Sequence, residues 1–377
     1  MQMENSMLQE VDEKLLLLAD SFQKILYEDV ETFLKNMESR NLAGDDINRY
    51  KHWEWTQGVG LFGYWKLFTF TREQKYLNTL RQYYDRQLEI GLPHMNVNTV
   101  TPLLALSYLA EYTGEEKYVK VCEQESEWIM KSFPRTKENG FQHMTSDSEN
   151  DGELWDDTLF MTVLFLANMG RILKRRDYLE EAEYQFMVHT KYLADKDTGL
   201  WYHGWTFKEK HNFAQALWGR GNCWITAAIP LFLQIDEDCP ASVSEFLKQT
   251  LNRQIESLEK YQDESGMWHT LVDDATSYVE TSATCGFAFG ILQAVQMGIV
   301  DEKYLRMAQK ALRPVMNHIQ PDGVVEQVSY GTPMGRENKD FYKQIIIKPM
   351  PYGQALAMLF LIQYKIMFSK DKEVTCE

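Results

Sequence analysis

The chain has 377 residues, of which 44% are hydrophobic, 25% charged and 13% aromatic, a composition that supports a large buried core and excludes a disordered or collagen-like chain. Its 39 basic and 55 acidic residues leave a formal charge of −16, so there is no basic surplus for a phosphate backbone and no nucleic-acid partner is expected. Cys122, Cys223, Cys239, Cys285 and Cys376 are scattered, odd in number and form no Cys-x-x-Cys pair. That pattern argues against a disulfide scaffold and a thiolate zinc site, so the cysteines give no sign of a metal or cofactor.

The start, MQMENSMLQEVDEK, is acidic and lacks a basic end followed by an apolar stretch, so no signal peptide is read there. No run reaches the roughly 18 uninterrupted apolar residues that a membrane span requires. The most apolar stretch, Tyr352–Phe368, carries Gln354, Gln363 and Lys365. The expectation is a cytoplasmic protein without a membrane partner.

In chain order, two kinds of helix alternate. Glu13–Lys35, Arg72–Ile90, Glu116–Phe133, Tyr178–Leu193, Val243–Tyr261 and Lys303–Ile319 place apolar residues three or four apart with a charged opposite face, the mark of a helix with one wet side. Thr56–Phe70, Val100–Tyr112, Asp157–Leu173, Gly221–Leu233, Ala283–Gln296 and Tyr352–Phe368 are apolar on most faces and rich in small residues, so they must be buried. Six outer and six inner helices, repeating at about 45 to 70 residues, predict an all-α fold: an (α/α)6 barrel forming one catalytic domain over residues 1–377. A linear helical solenoid is the competing arrangement.

Four connections share a finer pattern of turn, short β-prone stretch and polar residue. They are Asn139-Gly-Phe-Gln-His143, Thr198-Gly-Leu-Trp-Tyr-His203, Ser265-Gly-Met-Trp-His269 and Asp322-Gly-Val-Val-Glu326. In a barrel they gather at one mouth, where their His and Glu side chains, with Trp201 and Trp268, are expected to rim a single pocket.

The inner helices open on residues that their interiors lack: Trp53-Glu-Trp-Thr-Gln-Gly58, His94-Met-Asn-Val-Asn98, Trp155-Asp-Asp-Thr158 and Trp218-Gly-Arg-Gly-Asn-Cys-Trp224. Aromatic walls with a polar floor suit a sugar, whose C–H faces pack on rings while its hydroxyls need fixed donors and acceptors. Asp157 stands at the head of the apolar run TLFMTVLFLA, where desolvation raises a carboxyl pKa and the helix dipole lowers it. A carboxyl protonated near neutrality is a general acid; the alternative for Asp156 or Asp157 is a helix cap. Arg220, between glycines and tryptophans, has the planar fork that binds a carboxylate such as a uronate; the alternative is an ordinary ion pair. Trp218 and Trp224 serve either as walls or as core.

At these residues the sequence resembles the unsaturated rhamnogalacturonyl hydrolases of glycoside hydrolase family 105, related to the unsaturated glucuronyl hydrolases of family 88. The resemblance rests on Trp155-Asp-Asp-Thr-Leu-Phe-Met161, Trp201-Tyr-His-Gly-Trp205, Trp218-Gly-Arg-Gly-Asn-Cys-Trp224 and the stretch from Gly331-Thr-Pro-Met-Gly335 to Tyr352-Gly353, and runs from about Trp53 to Phe360. It implies an (α/α)6 barrel and a metal-independent hydration of the 4,5 double bond of an unsaturated uronic acid at the non-reducing end of a lyase product. In that reaction a carboxylic acid protonates C4, water adds at C5, and the hemiketal opens to release the next sugar. By position Asp157 matches the family's acid/base, and His203, Trp218, Arg220 and Trp224 match its substrate contacts. His143 matches a loop histidine upstream of the acid, and Trp55 an aromatic that is usually Tyr. Asn98 stands where the family usually has a second Asp, and Ser146–Gly152 is a polar, acidic insertion between His143 and Asp157. The expected partner is an unsaturated uronyl oligosaccharide.

Rival readings are a conventional glycosidase with Glu54, Glu153 or Glu280 as second carboxyl, a sugar epimerase using paired histidines such as His203 and His269, and a non-catalytic carbohydrate-binding relative.

Overall fold

The computed structural model describes residues 2–28, 35 and 47–369. The outer helices are α1 (Gln2–Ile25), α3 (Gln74–Ile90), α5 (Glu116–Ser132), α7 (Arg176–Leu193), α9 (Ala241–Tyr261) and α11 (Leu305–Asn317). The inner helices are α2 (Trp55–Thr71), α4 (Val97–Thr113), α6 (Leu164–Leu173), α8 (Gly219–Ile235), α10 (Thr281–Gln296) and α12 (Pro351–Phe368). A single helical turn, Ile47–Tyr50, precedes α2.

Each inner helix packs on the next inner one, and α12 packs back on α2, so the ring closes. Closure selects the (α/α)6 barrel over the linear solenoid. Each outer helix packs on the inner helix preceding it, and α1 completes the outer layer by packing on α12. The helix type follows from this placement. An inner helix meets protein on every side, and in α8 and α10 nearly every side chain is buried. An outer helix meets protein on one stripe: α5 buries Tyr118, Cys122, Ser126 and Ile129, spaced three or four apart. Close approach within the ring requires missing side chains. A Cβ on Gly290 of α10 would lie 2.2 Å from the Thr226 carbonyl oxygen of α8.

The first outer helix starts before the predicted Glu13 and stops at Ile25, short of the predicted Lys35; residues 29–34 of that span lie outside the described residues. The third inner helix also differs. Its first turn, Leu159–Val163, is a wide π-turn, and regular α-helix begins only at Leu164. Such a turn after Asp157 is the kind of local irregularity that functional sites often carry.

The connections from outer to inner helices run over one end of the barrel, where the inner helices have their N-termini. They form a two-stranded antiparallel ribbon, β1 (Glu153–Trp155) with β2 (Gly204–Thr206), in the register Leu154 opposite Trp205. Isolated bridges Ala194–Trp201, Trp218–Leu271, His269–Val279 and Ser329–Ile347 stiffen the rest of that face.

Candidate active site

The β1–β2 ribbon sets the centre of the mouth. Trp155 ends β1, and the next residue, Asp156, donates its backbone N–H to the His203 carbonyl at 3.0 Å. Beside β1, the His143 N–H donates to the Glu153 carbonyl at 3.0 Å. Trp155 therefore lies between two histidines: its face stacks on His143 (4.2 Å between centroids, 5°) and its edge meets His203 at 5.0 Å. Asp157 follows at the head of the π-turn, with its Oδ1 3.5 Å from His143 Nδ1.

Burial dominates the electrostatics here. It lifts the Asp157 carboxyl to about 7, against a hydrogen bond from its own backbone N–H and the field of Arg220. Its side chain keeps 18% exposure, while Oδ1 is buried and has no hydrogen-bond partner among the described residues. Burial depresses His143 to about 3, with His189 adding a little, and holds His203 well below the usual imidazole range. Both rings are neutral at ordinary pH. His143 Nδ1 also lies 2.8 Å from Thr158 Oγ1, and His203 Nδ1 lies 2.6 Å from the Tyr342 hydroxyl.

Asp156 is fully buried, and its carboxylate oxygens have no hydrogen-bond partner among the described residues. It packs on Gly221, where a Cβ would stand 2.2 Å from Oδ2. Burial, and then the neighbouring Asp157 charge, push its pKa far up. The adjacent acids thus differ: Asp156 is sealed, and Asp157 keeps partial exposure.

The aromatic wall comes from three inner helices. Trp55 stacks on Tyr352 at 4.7 Å and sets its edge to Trp224 at 6.1 Å, and Trp224 leans on Phe160 at 4.8 Å. Arg220 lies between the Trp218 ring (4.7 Å) and the Tyr352 ring (4.6 Å). The guanidinium is 2% exposed and already engaged: Nη1 donates to Ser329 Oγ at 2.6 Å, Nη2 donates to Thr332 Oγ1 at 2.9 Å, and Glu280 Oε1 lies 3.7 Å from Nη1. The ion pair of the second alternative is present, and the charge of the guanidinium also acts on Asp157. Tyr352, Ser329, Thr332 and Glu280 hold this arginine; Thr332 and Tyr352 lie in the stretch singled out in the sequence, though not as partners of Arg220, and Ser329 lies outside it. Ser329 and Thr332 lie more than a hundred residues from Arg220.

Asn98, half-buried, sits in the first turn of α4, where Asn96 caps the helix by accepting from the Asn98 and Thr99 N–H groups. Of the predicted site residues, Asp157, Trp55 and Asn98 keep partial exposure, while His143, His203, Trp218, Arg220 and Trp224 are buried.

The four-loop expectation divides. The first two loops deliver His143 and His203. Trp201 and Trp268, expected at the rim, are 0% exposed and belong to the core, because the β-prone stretch turns them inward against the outer helices; Trp268 Nε1 donates to the Leu258 carbonyl at 2.9 Å. His269 is held by the Ser277 carbonyl at 2.5 Å and faces Asp263 at 3.4 Å. Glu326 is exposed and accepts from Gln320. Among the described residues, Glu183, Asp236 and Cys239 have ligand atoms within 4.8 Å of one another. Arg176 already pairs with both carboxylates there, and Asp236 ends α8 at the opposite end from Arg220.

A closed ring of paired helices that carries, at one mouth, a protonatable carboxyl beside a group of tryptophans is an arrangement a barrel-type glycoside hydrolase can use. The chain belongs to Glycosyl Hydrolase Family 88, whose model matches residues 29–368. It is 33% identical over 312 residues to the unsaturated rhamnogalacturonyl hydrolase YesR of Bacillus subtilis, covering 82% of this chain and 88% of that one. Two solved structures are also similar, each described as a possible member of the GH105 family. The one from Klebsiella pneumoniae is 41% identical with a TM-score of 0.85, covering 93% of this chain and 92% of that one. The one from Salmonella enterica is 43% identical with a TM-score of 0.84, covering 93% of each.

Proposed function

We propose that this protein hydrates the 4,5 double bond of the unsaturated uronic acid at the non-reducing end of a lyase-generated oligosaccharide and so releases the next sugar. The observation that carries the reading is the Asp157 carboxyl: partly exposed, within the field of Arg220, and held near pH 7 by burial. Asp157 gives its proton to C4. Water bonds to C5 and returns a proton to the carboxylate. The resulting hemiketal opens, and the next sugar leaves. Arg220 and the neutral His143 and His203 orient the uronate end, and Trp55, Trp218 and Trp224 wall the ring. The likeness to YesR favours a rhamnose-linked substrate of pectic origin.

A conventional glycosidase needs a second free carboxyl across the bond. Glu153 accepts from Trp155 Nε1 at 2.9 Å and from Arg336 at 2.8 Å, and Glu280 is spent on Arg220 and on the N–H of Ala283. We also infer a reducing compartment such as the cytoplasm. In support, Cys122, Cys223, Cys239 and Cys285 are free thiols, and no helix among the described residues is long and apolar enough to cross a membrane.

The test is incubation with an unsaturated uronyl disaccharide while following the ultraviolet absorbance of its conjugated double bond. Loss of that absorbance, abolished in Asp157→Asn, is expected. Persistence of the absorbance with wild-type protein overturns the reading.

A further inference from the structure

The segment that leads from Gly331 into α12 folds back against the β1–β2 ribbon. Its ends are pinned by backbone bonds: the Tyr330 N–H donates to the Ile346 carbonyl and the Lys348 N–H to the Val328 carbonyl, both at 2.9 Å. Arg336 Nη1 donates to Glu153 of β1 at 2.8 Å, and the Tyr278 hydroxyl donates to the Tyr342 carbonyl at 3.2 Å. So held, Tyr342 is 0% exposed and packs with Ala216, Trp218 and Leu271. Its hydroxyl lies 2.6 Å from His203 Nδ1, across 139 positions of sequence.

A neutral imidazole carries one N–H, so the partner at one nitrogen decides what the other presents. Burial keeps His203 neutral and the Tyr342 phenol protonated. The Gly335 N–H already donates to the Tyr342 oxygen at 3.0 Å. Between a phenol and an imidazole, the phenol is the stronger acid and the ring nitrogen the stronger base. The shared proton therefore stays on oxygen, and Nδ1 accepts it. The other outlet for that proton, Met334 Sδ at 3.9 Å, is a weak and distant acceptor. The ring's own proton is then on Nε2, which is buried and has no hydrogen-bond partner among the described residues. A buried N–H is costly to leave bare, and a bound ligand can supply its acceptor. Trp155 and Trp218 flank the ring at 5.0 and 4.3 Å, and the charge of Arg220 acts on it. A donor in that field suits an anionic acceptor.

We propose that Tyr342 is a positioning residue of this site: its hydroxyl holds His203 in the Nε2–H tautomer, and that N–H is the donor offered to the carboxylate of the uronyl sugar. This rests on the reading of the substrate given above. Tyr342 acts only through His203, so its loss weakens binding of the uronate and leaves proton donation by Asp157 in place. The effect falls on KM more than on kcat.

The experiment compares wild type, Tyr342→Phe, His203→Leu and the double variant, with 15N-labelled histidine. NMR reads the tautomer, steady-state kinetics on an unsaturated uronyl disaccharide reads KM and kcat, and melting temperatures read stability. The His203 ring is assigned by its absence from the His203→Leu spectrum. In wild type it is expected to carry its proton on Nε2 alone. Tyr342→Phe keeps the aromatic ring and removes only the hydroxyl. It is expected to give a mixture of tautomers and to raise KM about tenfold, the scale of one charge-assisted hydrogen bond, with kcat within about twofold. In the His203→Leu background, where no tautomer is left to set, the same change is expected to move KM less than about twofold. A wild-type proton on Nδ1 overturns the proposal, as does a Tyr342→Phe ring still purely Nε2–H. So does a Tyr342→Phe variant whose only change is a lower melting temperature, or a KM penalty that persists undiminished in the His203→Leu background. If wild type leaves the double bond intact, the substrate reading fails on its own. The tautomer spectra and calorimetric binding of the same disaccharide then decide the positioning role, and equal affinities for wild type and Tyr342→Phe overturn it.

Discussion

His143 Nδ1 stands 3.5 Å from Asp157 Oδ1 while the His143 ring lies flat on Trp155, 4.2 Å between centroids. The geometry looks like an ion pair and is not one. Burial holds the imidazole near 3, so at neutral pH it is uncharged. An imidazolium at that distance would stabilise the carboxylate and pull its pKa down. A neutral ring leaves the proton on Asp157 up to about pH 7. The stacked tryptophan and the buried histidine thus keep an acid acidic where an acid is needed.

The pH dependence of turnover follows. Proton donation needs protonated Asp157, so kcat is expected to fall about tenfold per pH unit above about pH 7. Stability gives a second readout. A carboxyl raised on folding from 3.8 to about 7 contributes stability that is complete below the unfolded value and lost as pH rises through the folded one. Asp157→Asn has no such loss. Its melting temperature is expected to match wild type near pH 4 and to exceed it increasingly up to pH 7, while turnover is absent throughout.

Asp156 is expected to behave differently despite being the next residue. Its oxygens are buried without a hydrogen-bond partner among the described residues, and burial pushes its pKa well up, which favours the neutral form. Asp156→Asn removes little, and activity is expected to stay within about tenfold of wild type, against complete loss for Asp157→Asn. Gly221→Ala is the harsher change. Its Cβ would enter Asp156 Oδ2 at 2.2 Å, and overpacking of this kind costs about 1–3 kcal/mol, readable in a urea melt. Equal losses in Asp156→Asn and Asp157→Asn would show that the acids act as one unit.

Trp55 is the most accessible wall. Its ring stacks on Tyr352 at 21° and the residue stays partly exposed. Trp55→Ala removes a stacking partner worth about 0.5–1.5 kcal/mol beyond its buried area. KM is expected to rise up to about tenfold with kcat little changed, as steady-state kinetics will read.

Hydropathy carries the barrel because burial is a property of whole segments: an inner helix such as Gly219–Ile235 cannot be wetted on any face. Asp157, His143 and His203 were legible because each follows a turn or opens an apolar helix. The setting of Arg220 was not. Its partners Ser329 and Thr332 come from a loop that only ring closure brings near, and serine and threonine in a loop carry no distinguishing pattern. Trp201 and Trp268 misled for the opposite reason. A tryptophan in a Gly-turn segment looks the same whether its ring rims a pocket or fills the hairpin core, and here both fill the core. Glu54 was visible as a carboxyl between tryptophans, but its hydrogen-bond donor Ser146 lies 92 residues away in sequence.

Arg220 and Glu280 form the buried ion pair on which the basin stands, with 2% and 1% of their side chains exposed and 3.7 Å between Nη1 and Oε1. Removing one partner strands the other charge, and Arg220→Leu is expected to cost about 3–5 kcal/mol in a denaturant melt. Arg220→Lys keeps the charge but loses the planar fork that bonds Ser329 and Thr332 and fills the space between Trp218 and Tyr352, so it is expected to fall between wild type and Leu. The double variant Arg220→Leu/Glu280→Gln removes both charges and is expected to regain most of the lost stability. Only part of the activity is expected to return with it. Arg220 holds the Asp157 pKa down against burial, so without it the alkaline limb of the rate profile moves above 7 while KM for the uronyl substrate rises. A double variant as unstable as the single one would mean that the arginine serves packing alone. An unmoved limb would mean that its field does not reach the acid.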